Sequence, residues 1–165
     1  MVGCAAFPLA IVAFVVSVTG RAFPLVLGAA IMVALLWNLS RRWYLRHLAR
    51  RFQRVHGGKD LLIVYTDSPH WKDHVESQWV ARWPKRIVTL NRSRPWARKA
   101  PEAALWLAVA GIREHTPLAV VIPRRGKLRV IRFFKAFQES KHGHPARLEA
   151  AEQDLEEAMA EEAGA

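Results

Sequence analysis

The sequence predicts a mixed α/β domain, preceded by an apolar helical segment and followed by an acidic helix. Three observations carry that reading. Residues 1–40 hold one charged side chain, Arg21, whereas the next fourteen hold six arginines. Beyond Gly57-Gly58, short apolar runs alternate with segments of helical period, the pattern of an α/β unit. Charge is also segregated: residues 1–144 carry 24 basic against 7 acidic residues, net +17, whereas residues 145–165 carry Arg147 against seven acids, net −6.

The apolar segment contains a repeat, Ala6-Phe7-Pro8-Leu9 and Ala22-Phe23-Pro24-Leu25, each opening an apolar run, and proline suits the first turn of a helix. With Val18-Thr19-Gly20-Arg21 as a turn, residues 1–40 read as a transmembrane helical hairpin with arms at 2–19 and 22–40. A single span at 22–40 is the alternative. A cleaved signal peptide lacks its basic leader, because Met1–Phe7 is uncharged. Arg41, Arg42, Arg46, Arg50, Arg51 and Arg54 then mark the cytoplasmic side of a bacterial-type inner membrane, and Trp37 and Trp43 sit where interfacial aromatic anchors occur. Residues 41–56 read as a basic amphipathic helix on the membrane surface. Its stripe is Tyr44, Leu45, Leu48, Phe52 and Val55, its charges meet anionic lipids, and Gly57-Gly58 forms a hinge after it.

The domain at 57–144 follows in order. Leu61–Tyr65 is a strand apolar on both faces. Ser68-Pro69 supplies an N-cap and a first-turn proline for a helix to Trp83, with Trp71, Val75 and Trp79 on one stripe. Arg86–Leu90 is a second strand. Pro101–Glu114 is a second helix, with Ala104, Leu105, Ala108, Val109 and Ile112 facing inward. Leu118–Ile122 and Lys127–Phe133 are strands joined by a turn at Arg125-Gly126, and Phe134–His142 is a helix ending at Gly143. The tight turn implies an antiparallel pair; the helical connections before it imply parallel ones. Residues 145–165 form an acidic helical tail with Leu148, Ala151, Leu155 and Ala158 or Met159 at helical spacing. Docking on the basic body, binding a basic partner and fraying in solvent are all open for it.

The order β-α-β-α-β-β-α, with Thr116-Pro117 just before the third strand, resembles the thioredoxin-like fold, in which a cis-proline occupies that place. The run Val64-Tyr65-Thr66-Asp67-Ser68-Pro69-His70-Trp71-Lys72 is similar to the strand and C-P-x-C turn of glutaredoxins. The resemblance covers residues 59–143. It places Ser68 at the nucleophilic cysteine and Trp71 at the resolving one, so disulfide oxidoreductase activity is not expected: exchange needs a thiolate. The only cysteine, Cys4, lies in the apolar segment, which also excludes an intrachain disulfide. The resemblance leaves a glutathione-type transferase as an alternative, with Tyr65, Ser68, Trp71 and Pro117 as ligand-binding residues.

Asp67, His70, Asp73 and His74 cluster at one helix start, with the histidines four apart, but the ligand set is incomplete and neither metal nor cofactor is expected. His142-Gly143-His144 reads as a connector. Two basic clusters are stronger: Lys85, Arg86, Arg92, Arg94, Arg98 and Lys99 with Trp96 among them, and Arg124, Arg125, Lys127, Arg129, Arg132 and Lys135. They suit phosphate or a partner surface. The bland reading is charge protecting a sheet edge. Trp71, Trp79 and Trp106 read as core; Trp83 and Trp96 read as exposed binding anchors. The functional expectation is a non-enzymatic, membrane-anchored cytoplasmic binding or assembly module. Its partners are the bilayer with its anionic lipids and another membrane or cytoplasmic protein. A membrane-tethered phosphate or nucleic-acid binder is a further alternative, with nucleic acid the less expected ligand.

Overall fold

The computed structural model describes the backbone of residues 6–124 and 126–163, and side chains from Leu27 onward except at positions 125 and 163. The elements are α1 (Ala6–Val55), β1 (Leu61–Tyr65), α2 (Lys72–His74, continued by a π-helical turn, Val75–Val80), β2 (Ile87–Asn91), α3 (Pro101–Val109), β3 (Leu118–Val121), β4 (Arg129–Arg132), α4 (Phe134–Lys141) and α5 (Ala146–Ala163). The chain divides into two compact units, residues 1–44 and 45–165.

The backbone of α1 runs unbroken through residues 18–21, so the expected hairpin turn is replaced by continuous helix. A proline inside a helix removes one N–H donor but does not oblige a reversal. The side chains of arm 2–19, and of the start of arm 22–40, lie outside the described residues. Among the described residues no helix is long and apolar enough to cross a membrane; they take in the apolar run only from Leu27 to Leu39. Within it, Leu27, Ile31, Met32, Val33, Leu35, Leu36, Trp37 and Leu39 are all exposed. At about 100° per residue they point in every direction around the helix.

The second unit is built on a four-stranded sheet in the order β2-β1-β3-β4. β1 pairs parallel with β2 (Leu61 opposite Ile87, Tyr65 opposite Asn91) and antiparallel with β3 (Leu61 opposite Val121, Val64 opposite Leu118). β3 pairs antiparallel with β4, which carries exposed Arg129 and Arg132 at the sheet edge. The antiparallel β1–β3 pair departs from the parallel pairing expected of a helical connection. The reason lies in residues 92–117: Arg92, just past β2, donates to the carbonyls of Ile112 and Glu114, just before β3. The excursion through α3 therefore returns to the sheet end it left, and β3 must run back. Peptide Thr116–Pro117, immediately before β3, is cis.

Alternation along the strands gives two core layers. Leu61, Ile63 and Tyr65 pack with Ala119 and Val121 under α2, α4 and α5, where Trp79, Phe133, Leu155 and Met159 are buried. Leu62 and Val64 pack with Leu118 and Val120 under α3 and the end of α1, where Leu105, Trp106, Leu48 and Phe52 are buried. The apolar stripe expected to lie on lipid is thus divided. Leu48 and Phe52 belong to the domain core, and only Tyr44 and Val55 remain exposed. Gln53 Nε2 donates to the Ile122 carbonyl, and His56 meets Glu102 at 3.1 Å. Gly57 and Gly58, at φ 65° and 83°, end the helix rather than hinge it, with the Gly58 N–H donating to the Gln53 carbonyl at 2.7 Å.

The remaining boundaries shift for local reasons. Ser68-Pro69 makes a turn and α2 starts at Lys72 with no side-chain cap, so Ser68 is not the helix cap expected. α3 stops at Val109, near Gly111 at φ 84°, which leaves Ile112 exposed. Trp83 and Trp96 are half-buried against the core rather than free anchors; Trp96 meets Trp106 edge-on at 5.4 Å. The 145–165 segment is no separate tail, because Leu148, Leu155, Ala158 and Met159 of α5 complete the first layer.

Phe52 is fully buried, and Phe→Ala at such a site costs about 3–5 kcal/mol. Phe52→Ala is expected to destabilise the second unit by that amount in urea unfolding of the full chain. A Phe52 side chain turned away from the sheet would give a change under about 1 kcal/mol.

Candidate functional site

β1, β2 and the loop before β3 meet at one end of the sheet and set the 66–72 turn there. The Asp67 N–H donates to Ser93 Oγ, Asn91 Nδ2 donates to Asp67 Oδ1 at 2.8 Å, and the Ser93 N–H donates to Asn91 Oδ1. The Asn91 amide, then Lys72 at 3.4 Å, hold the Asp67 carboxyl below its ordinary range. The Trp71 indole N–H donates to Thr66 Oγ1, and its ring lies edge-on to Phe134 at 6.0 Å. Phe134 in turn stacks on His115 at 4.5 Å and 15°. The Phe133 N–H donates to the carbonyl of buried Pro117. Trp71, Phe134 and His115 thus form an aromatic row between the turn and the Pro117 loop.

Of the four residues the resemblance marked for ligand binding, Trp71 and Pro117 border this row. Ser68 Oγ accepts only the His70 N–H, at a long 3.5 Å, and has no histidine or carboxylate to activate it among the described residues. Tyr65 is buried in the first core layer, and its hydroxyl donates to Glu76 at 3.0 Å. Its phenol is pushed above the ordinary value of about 10, first by burial and then by the bond to Glu76 and that carboxylate's charge. The Tyr65 O–H is thus directed at Glu76.

The histidine pair separates. His74 meets Glu152 Oε1 of α5 at 2.6 Å, and the same oxygen accepts the Trp79 indole N–H at 3.0 Å. His74 Nε2 and the Trp79 indole N–H thus converge on one Glu152 oxygen. His70 stays exposed on the turn. Among the described residues no group of three His, Cys, Asp or Glu side chains is placed to hold a metal ion.

The basic clusters are used differently from each other. In the first, Arg86 is bound to Asp60 through Nε and Nη2, with Nη1 on the Met159 carbonyl. Arg92 lies over the Trp106 ring at 4.8 Å while donating to Ile112 and Glu114. Those two are structural; Arg94, Arg98 and Lys99 face solvent. In the second, Arg129 pairs with Glu161 and Arg132 with Glu114, and the Arg124 N–H donates to Glu162. Lys127 and Lys135 are exposed, and Arg125 lies outside the described residues. Arg41, Arg42, Trp37 and Trp43 are exposed on the first unit; Arg46, Arg50, Arg51 and Arg54 are exposed on the second. Arg51 Nη2 donates to the Lys99 carbonyl at 3.5 Å.

No family model matches the chain, and neither the curated proteins nor the solved structures compared with it give a match. Sequence reasoning missed Glu152, Asn91 and Ser93. For Glu152 a signal existed, since it follows Leu148 by one turn on the buried edge of α5. For Asn91 and Ser93 none did, because their role depends on β1 lying beside β2.

Because folding raises the Tyr65 pKa, its contribution to stability is complete below pH 10 and is lost as pH rises beyond that through the folded value. Glu76→Gln removes the carboxylate charge, so ultraviolet titration of the phenol should show Tyr65 ionising at lower pH than in the parent chain. An unchanged titration would deny the Tyr65–Glu76 contact.

Proposed function

We propose that this chain is a membrane-anchored, non-enzymatic binding or assembly module whose α/β unit faces the cytoplasm and whose outline is thioredoxin-like. One observation carries the anchoring. From Leu27 to Leu39 large apolar side chains are exposed on every side of the helix, and arginines follow at once. An amphipathic helix of a globular protein keeps one polar face. A helix apolar all round belongs in lipid or inside a helix bundle, and the arginine collar sets the inside. The thioredoxin-like reading is supported by the element order and by the cis bond ahead of β3. Binding rather than catalysis is supported by the fate of the two candidate side chains. Ser68 has no activating partner among the described residues, and the Tyr65 hydroxyl is spent on Glu76.

Alkaline carbonate extraction tests the anchor. The full chain is expected to stay in the membrane pellet. Each lysine near the centre of a span costs about 2.5–3.5 kcal/mol, so Val33→Lys with Leu36→Lys should shift the chain to the supernatant. Release of the unsubstituted chain would contradict the proposal.

A further inference from the structure

Charge on the second unit is sorted by layer. α5 brings seven acids to the first-layer side, where Glu156 meets Arg82 and Glu161 meets Arg129. On the other side, α1 buries Leu48, Ala49 and Phe52 against the sheet. Helical geometry turns Arg46, His47, Arg50, Arg51 and Arg54 to the opposite face, and all five are exposed. That face does not end at the helix. The loop at 92–100 is fastened by Arg92 and Trp96 over Trp106, and the Arg51–Lys99 bond brings its outward Arg98 and Lys99 alongside. Arg46, Arg50, Arg51, Arg54, Arg98 and Lys99 have no carboxylate within salt-bridge distance among the described residues. Glu102, the acid of α3, meets His56 at 3.1 Å.

We propose that this face, Arg46, Arg50, Arg51 and Arg54 of α1 with Arg98 and Lys99 of the loop, binds the phosphates of anionic phospholipid headgroups. It rests on the membrane reading above and names the ligand class of the inner surface. Guanidinium groups present forked donors that match phosphate oxygens. Uncompensated cations on one face, in a chain whose apolar run ends at Leu39, meet the negative potential of a lipid surface first. Nucleic acid fits less well: a single-strand platform needs exposed aromatic faces among the cations, and Trp96 is packed on Trp106. The second cluster is the poorer match, because acids interleave it: Arg129 pairs with Glu161, Arg132 with Glu114, and Glu162 accepts the backbone N–H of Arg124.

The test uses the full chain in neutral detergent. Calorimetric titrations add short-chain phosphatidylglycerol, phosphatidylcholine of equal chain length, inorganic phosphate, or a DNA oligonucleotide. Phosphatidylglycerol is expected to bind most tightly. Arg50→Gln, Arg51→Gln, Arg98→Gln and Lys99→Gln together should weaken that binding by at least about tenfold. A control removing as many charges, Arg124→Gln, Lys127→Gln, Arg129→Gln and Lys135→Gln, should change it by less than about twofold. Circular dichroism melting verifies that both variants are folded. Equal loss in the control would overturn the proposal as a net-charge effect. Phosphatidylcholine binding as tightly would overturn headgroup recognition. Inorganic phosphate binding as tightly would assign the face to free phosphate, and tighter DNA binding would assign it to nucleic acid. The two readings fail separately. Carbonate release with phosphatidylglycerol binding intact removes the anchor and keeps this surface. A pelleted chain without phosphatidylglycerol preference does the reverse.

Discussion

Two central strands that are apolar on both faces must be covered on both sides. β1 reads Leu61-Leu62-Ile63-Val64-Tyr65 and β3 reads Leu118-Ala119-Val120-Val121, and all nine residues are buried. α2, α4 and α5 close one layer. On the other, the nine residues of α3 are too few, at about 1.5 Å of rise each, to roof a four-stranded sheet. The end of α1 supplies the rest through Leu48, Ala49 and Phe52. Full burial of one such large apolar side chain stabilises by about 1.5–3 kcal/mol, a sizeable share of a small domain's margin. The fold therefore recruits the helix that also carries the apolar run, and the boundary between the two compact units falls inside α1 rather than at Gly57-Gly58.

That recruitment fixes where the charge goes. With the apolar edge of α1 turned inward, its arginines have only the outer face. The acids of α5 sit on the far side of the sheet, beyond reach of them. Exposed ion pairs such as Arg129–Glu161 contribute little to stability, with a median of about 0–1 kcal/mol. The apolar stripe of Leu148, Leu155 and Met159 seats α5, and the pairs mainly decide which arginines stay uncompensated.

Element order was legible because each apolar run in the domain is short, bounded by Pro or Gly, and switches cleanly between period 2 and period 3.6. Trp79 is buried on the stripe its period predicts, whereas Trp106, outside the inward stripe expected for the second helix, is buried too. Three features were not legible. The stripe Leu48–Phe52 suits a sheet as well as a lipid surface, and periodicity does not say which. The direction of β3 depends on the Arg92 contacts across twenty residues. The place where the apolar stripe of α5 docks, with Glu152 beside His74 and Trp79, joins segments far apart in sequence. At the candidate site, Tyr65 and Ser68 stood out by position in a familiar turn, but their partners Glu76 and the His70 N–H decide what they can do.

The central claim is that the end of α1 is part of the domain core. Native-state hydrogen exchange of the full chain tests it most directly. If the account holds, the amides of residues 49–55 exchange with the same opening free energy as those of β1, because helix and sheet open together. Exchange of residues 49–55 in an earlier, independent opening, while β1 stays protected, would contradict it.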